Sequence, residues 1–191
     1  MEKTLIIFKP EAVARGVDQQ ALGAFEDAGL YVSTITAPIY LDPQKVDRHY
    51  DFDDGWFQKV GEGTLRDAQA IGLDIQNHLG TTDPIEIGHQ IKGWLRDYMT
   101  SGPVRIGVAE GEDAIARVRQ IIGSTIPAKA APDTIRGHYS QDTSEQALLE
   151  KRSVRNIIHA SGNREEAAAE IALWTPELYG PGGTDYTHAE P

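Results

Sequence analysis

Residues 153–174 read SVRNIIHASGNREEAAAEIALW. The run around Asn156, Ile157 and Ile158 predicts a buried strand over residues 154–159, because β-branched side chains suit a pleated, half-buried surface. From Asn163 onward the chain turns to Ala and Glu, which predicts a helix over residues 165–174 that stops before Pro176. Between the two stand His159 and three small residues, Ala160, Ser161 and Gly162. An imidazole where an apolar strand runs out, with nothing large to cover it, is either a structural histidine or a reachable one. With an unperturbed pKa of about 6.5, its unprotonated form can attack phosphorus near neutral pH. A carboxylate on the other ring nitrogen would fix the tautomer, and Glu170 lies on the following helix. From these residues alone both readings stay open.

Working outward, residues 4–9 (TLIIFK) predict another buried strand. Val17, Ala21, Phe25 and Ala28 recur at helical spacing, and Gly29 takes the stop position. Residues 30–40 predict a second strand, and Asp42-Pro43 opens a helix toward His49 and Tyr50. A helix is expected over residues 65–79, running through Gly72. Asp83-Pro84 repeats the cap signal before Ile87, Ile91, Trp94, Leu95 and Tyr98, which share one helical face. A third strand over residues 104–109 and a helix over residues 114–122 follow. A long connection (STIPAKAAPDTIRGHY, 124–139) then leads to a short helix over residues 144–151. Without the middle segment the order is β-α-β-(helices)-β-α-β and a closing helix. That predicts an α+β, ferredoxin-like βαββαβ fold: a four-stranded antiparallel sheet with helices on one face, plus an inserted helical segment. One domain is expected over residues 1–178, with a helical insertion about 58–92, a loop insertion about 139–152, and a flexible tail over residues 179–191.

Composition narrows the function. Eighteen basic against 29 acidic residues give a net charge of −11, which argues against a nucleic-acid partner. A few clustered cations can still make a local anion pocket. The chain has no cysteine, so disulfides, thiolate metal sites and cysteine nucleophiles are excluded. No stretch is long enough to span a bilayer and no leader signature is visible, so no membrane partner and a cytoplasmic setting are expected. DFDDGWFQKVGE has its glycine one place early for a calcium loop. Glu86 and His89 have metal-ligand spacing in a single copy only. SGPVRIGVAEG lacks the Gly-Lys-Ser/Thr ending of a P-loop. Lys9, Arg119, Thr125 and Arg136 could together handle phosphate, although spacing alone does not bring them together.

Six blocks carry a resemblance: TLIIFKPEAVARG (4–16), HY (49–50), YMTSGPV (98–104), GSTIPAKAAPDTIRG (123–137), RNIIHASG (155–162) and AAAEIALW (167–174). In this order the sequence resembles the nucleoside diphosphate kinases. The resemblance implies the ferredoxin-like fold and a ping-pong transfer of a γ-phosphoryl group from a nucleoside triphosphate to a diphosphate. It makes His159 the nucleophile that becomes phosphohistidine, Glu170 the carboxylate orienting it, and Ser161 the hydroxyl beside it. Lys9, Tyr50, Arg119, Thr125, Arg136 and Asn156 match positions around phosphates and ribose, and Leu95 an apolar residue of the base site. Phe57 is the expected base-stacking aromatic, with Trp56 its competitor. Mg2+ is the implied cofactor, held through the nucleotide phosphates with no protein metal ligand, and a homo-oligomer is implied. The chain departs from the family spelling at Ala160 and Gly162, in the segment after Tyr50, and between Arg136 and Asn156. A catalytically silent nucleotide-binding or interaction module, and another kind of phosphohistidine enzyme, are the competing readings. Keeping the whole polar set argues for the kinase.

Overall fold

The computed structural model describes residues 1–180 and 183–185. The run at residues 4–8 forms the last five residues of β1 (Glu2–Phe8), all of them buried. Its side chains alternate between two cores. Ile6 and Phe8 pack with Phe25, Val118 and Ile122, while Leu5 and Ile7 pack with Met99, Val108 and Trp174. A strand apolar on both sides needs cover on both sides. The sheet is accordingly flanked by α2 (Val17–Asp27) and α7 (Ala114–Ile122) on one face. The other face carries α3 (Pro43–His49), α6 (Pro84–Thr100) and α10 (Arg164–Tyr179). The expectation of helices on one face is corrected by this continuous apolar run.

β1 pairs antiparallel with β3 (Arg105–Gly111) and with β4 (Ile158–Ala160); β3 pairs with β2 (Tyr31–Thr36). The strand order β4-β1-β3-β2 is the ferredoxin-like arrangement, and a fifth strand, β5 (Gly183–Asp185), pairs with β2. The flexible-tail expectation is thus corrected at residues 183–185, where backbone pairing outweighs a Gly-rich composition. Its remainder at 181–182 and 186–191 lies outside the described residues. Among the described residues, no helix is long and apolar enough to cross a membrane.

Several boundaries differ from the sequence reading. The predicted helix over residues 65–79 is two: α4 (Asp54–Ala70), and α5 (Ile75–Leu79) capped by Asp74. Gly72, at φ +67°, separates them in the left-handed region. α4 starts at Asp54, ahead of the expected bound, where the Asp53 carboxylate accepts the N–H of Trp56 at 2.8 Å. α10 runs through Pro176 to Tyr179. A proline interior to a helix costs about 3 kcal/mol, and the buried Leu178 returns a comparable amount beneath the sheet.

The helices of the middle segment meet the segment after Tyr139. α4 lies against α6 at backbone contact: a Cβ on Gly61 would stand 1.9 Å from the Pro84 carbonyl oxygen, and one on Gly88 would stand 2.5 Å from that of Phe57. α9 (Ser144–Leu149) packs on α4, and His78 Nε2 of α5 bonds the Leu148 carbonyl at 2.8 Å. Together they wall one side of a cleft of about 860 Å³.

Candidate active site

The cleft is lined by Lys9, Tyr50, Leu95, Arg119, Thr125, Arg136, Asn156, His159 and Glu170. Residues scattered over the sequence converge because β1 and β4 end side by side, with α6, α7 and α8 (Ile135–Tyr139) closing around them. Ile7 pairs with His159 across the β1–β4 ladder, so the end of β1 delivers Lys9 beside the imidazole.

His159 and Glu170 are 2.9 Å apart, from Nε2 to Oε1. A carboxylate only accepts, so Nε2 carries the proton and donates it, leaving the lone pair on Nδ1. Nδ1 has no hydrogen-bond partner among the described residues. Burial pushes the Glu170 carboxyl up, but the bond from His159, the two nearby imidazoles and the bond from Ser161 outweigh it and hold the group below its ordinary value. Ser161 donates to Glu170 Oε2 at 2.6 Å and accepts the N–H of Leu5 at 3.2 Å. It is fully buried behind the carboxylate, orienting Glu170 rather than facing the cleft.

His49, which the sequence reading passed over, packs edge-on against His159 with ring centroids 4.6 Å apart. Its Nδ1 accepts the indole N–H of Trp174 at 3.1 Å. Burial, then the charge of His159, depress its pKa to about 3, so it is a neutral ring that braces the His159 imidazole. Its pairing with Trp174, at the end of AAAEIALW, was visible as two motifs but not as a contact.

Lys9 is buried, and its ammonium donates to Asn156 Oδ1 at 2.6 Å. Asn156 Nδ2 in turn donates to the Thr125 carbonyl at 3.0 Å. Burial, then the charge of Arg136, lower the Lys9 pKa to about 7. Arg136 donates through Nε to the Asn156 carbonyl, through Nη1 to that of Gly123 and through Nη2 to that of Ile158. A guanidinium has five N–H groups, so about two remain for a ligand. Burial, with Arg119 beside it, lowers its pKa to about 10. The Tyr50 hydroxyl is buried without a partner among the described residues, and burial together with the charge of Glu170 raises its pKa.

The predicted strand over residues 154–159 starts only at Ile158 because the backbone bends before it. Ile157 has φ +71°, and the Ile158 N–H bonds back to the Asn156 carbonyl at 2.7 Å. This is a three-residue turn of the strained hand, costing on the order of 1–3 kcal/mol for a non-glycine residue. Arg136 holds the carbonyls on either side of it.

One sequence expectation is corrected by register. Asp53 starts α4 so that Trp56, Val60 and Thr64 face the cleft, whereas Phe57 is buried against His89 with ring centroids 4.0 Å apart. Trp56 stacks on Phe52 at 3.6 Å. Ala160, the added methyl beside the nucleophile, pairs with Ile6 within the sheet. Gly162 donates its N–H to Glu166 Oε2 at 2.8 Å, so the altered spelling still ends in a capped helix.

His49, His159 and Glu170 place one potential ligand atom each within 4.8 Å of one another. Both oxygens of Glu170 are already bonded, and imidazoles do not suit a hard cation, so this trio does not fit Mg2+. Cations and N–H donors dominate the rest of this end of the cleft, an environment for a polyanion placed against an imidazole nitrogen.

A ferredoxin-like sheet presenting such a histidine at its edge defines the class, and comparison with known proteins narrows it. The family model described as nucleoside diphosphate kinase matches residues 89–178. The nucleoside diphosphate kinase of Pyrobaculum aerophilum is 41% identical over 93% of this chain and 96% of its own. That of Streptococcus pneumoniae is 28% identical over 91% and 99%. The crystal structure of an NDP kinase from Pyrobaculum aerophilum superposes with a TM-score of 0.87 at 41% identity, over 91% of this chain and 94% of that one. A Borrelia burgdorferi nucleoside-diphosphate kinase, solved as a transition state mimic with vanadate and ADP, gives a TM-score of 0.69 at 28% identity, over 91% and 86%. The chain belongs to the nucleoside diphosphate kinase family.

Proposed function

We propose that the protein is a nucleoside diphosphate kinase working through phosphohistidine on Nδ1 of His159. The observation that carries this reading is the His159–Glu170 bond, which turns the lone pair of Nδ1 toward a cleft lined by Lys9, Arg119 and Arg136. The γ-phosphorus of a nucleoside triphosphate forms a bond to Nδ1 as its bond to the β-phosphate oxygen breaks, and the diphosphate leaves. A second diphosphate reverses the step. No proton is transferred in either half-reaction. Rate then comes from placement and from cations facing the moving charge.

Glu170 keeps the imidazole in the attacking tautomer, and Ser161 keeps Glu170 in place. Lys9, Arg119 and the free N–H groups of Arg136 serve the phosphates, with Thr125, Asn156 and the unpartnered Tyr50 hydroxyl beside them. Leu95 and Trp56 serve the base. Mg2+ would be held through the nucleotide phosphates rather than by protein carboxylates, and would offset the phosphate charge. Residues 1–178 are the functional domain, with the insertions as its outer wall. We further assign the protein to homo-oligomers in a cytoplasmic setting, where nucleotides and magnesium are abundant. Its net charge of −11 supports the absence of a nucleic-acid partner.

Incubation with magnesium and γ-labelled ATP should give an acid-labile, base-stable phosphoprotein whose label moves to GTP when unlabelled GDP is added. Absence of label, or equal labelling of His159→Ala, would sink the proposal.

A further inference from the structure

The strained turn at Ile157 is held from three sides. Lys9 N–H donates to the Ile157 carbonyl at 2.8 Å, and Arg136 holds the two flanking carbonyls. The third hold is Glu11, whose Oε1 accepts the N–H of Ile157 at 2.7 Å. Glu11 stands two residues past Lys9 on α1 (Pro10–Ala14), and the turn stands two residues before His159. One carboxylate therefore ties the end of β1 to the segment that enters β4.

Glu11 Oε1 also accepts the hydroxyl of Tyr98, and the Lys9 ammonium lies 5.0 Å from the centroid of the Tyr98 ring. Glu11 Oε2 is buried with no hydrogen-bond partner among the described residues. A glutamine would offer the same acceptor to Ile157 without burying a charge. An unbonded, buried carboxylate oxygen is costly unless a cation lies near it, and the charge of Glu11 does act on Lys9, partly offsetting the lowering of its pKa by burial and Arg136.

We infer that Glu11 is a positioning residue for phosphoryl transfer: its Oε1 holds the turn that aligns Asn156 and His159, and its charge acts on the Lys9 ammonium. The inference rests on the reading of His159 and Lys9 given above. The other groups facing Lys9 are Asn156, which accepts its proton, the Tyr98 ring on α6, Arg136 on α8, and the neutral His49 on α3. Of these only Arg136 carries a charge, and it is of the same sign as Lys9. Glu11 is the counter-charge.

The test compares Glu11→Gln and Glu11→Ala with the wild type by the rate of phosphohistidine formation from ATP and by the pH profile of kcat/KM, which reports groups of the free enzyme. Glu11→Gln keeps an oxygen for the Ile157 N–H and loses the charge. Its alkaline limb is expected to move down by about half a pH unit or more. Glu11→Ala also removes the acceptor, and phosphohistidine formation is expected to fall about 10–100-fold at every pH, as for a misplaced reacting group. A merely structural role would lower the melting temperature and leave the limb where it is. An unmoved limb in Glu11→Gln overturns the inference, whether or not Glu11→Ala folds. So does a folded Glu11→Ala whose rate lies within about threefold of wild type. A wild type that forms no phosphohistidine overturns the reading of His159 instead.

Discussion

The two ends of the cleft are built differently. At the phosphoryl end, Lys9, Asn156, Ser161 and Glu170 are held by hydrogen bonds between strand ends, over a backbone bent against its preference at Ile157. At the outer end, α4, α5, α6 and α9 meet through glycine contacts, apolar side chains and bonds from His78 and Gln90 to backbone carbonyls. Buried polar groups tolerate little change, since each lost partner leaves another unsatisfied. Helix packing tolerates more, provided volume is kept. The chemistry should therefore depend steeply on the first end and weakly on the second.

The comparison breaks if the largest effect is missing. His159→Ala should abolish the labelled phosphoprotein and lower transfer by more than about 1,000-fold with the circular dichroism of the fold retained. Glu170→Ala should come next, lowering kcat about 10–100-fold, because the imidazole loses the acceptor that fixes its tautomer; stopped-flow measurement of phosphohistidine formation checks it. The third effect is one of pH. Lys9, with its pKa lowered to about 7, is an ammonium below that value and neutral above it. In the free enzyme kcat/KM should fall as pH rises through 7, by about tenfold at pH 8. A flat profile to pH 9 would show that the lysine keeps its proton.

The outer end predicts smaller changes. Trp56→Ala should raise KM about fivefold with kcat nearly constant, the loss of roughly 1 kcal/mol of stacking, whereas a similar loss in Phe57→Ala with Trp56→Ala silent would restore the other aromatic. Smallest in transfer is Gly88→Ala. Its methyl meets the Phe57 carbonyl, and overpacking of about 1–3 kcal/mol should lower the melting temperature by several degrees. Phosphohistidine formation at 25 °C should stay within about twofold of wild type. A large loss there would mean that the insertion governs the chemistry after all.

What could be read in the sequence follows the same division. Strands β1 and β3 and helices α6 and α7 carry their signals locally, in apolar runs, capping aspartates and stop glycines. His159, Glu170 and the phosphate-end cations came from motif order, which carries no distances. The turn at Ile157 could not be read locally, because an isoleucine at positive φ contradicts its own preference and is held by Glu11, Lys9 and Arg136 from elsewhere in the chain. The choice between Trp56 and Phe57 turned on one residue of register, set by the Asp53 cap. His49 was hidden because a histidine beside a tyrosine says nothing of the tryptophan 125 positions away that fixes its ring.

The fifth strand has a consequence for solubility. A sheet ending at the six-residue β2 would offer a row of unpaired N–H and C=O groups as a template for neighbouring chains. With β5 laid along it, both outermost strands of the described sheet are three residues long, too short to recruit an intruding strand. One of these two blunted borders, β4, is the strand that carries His159.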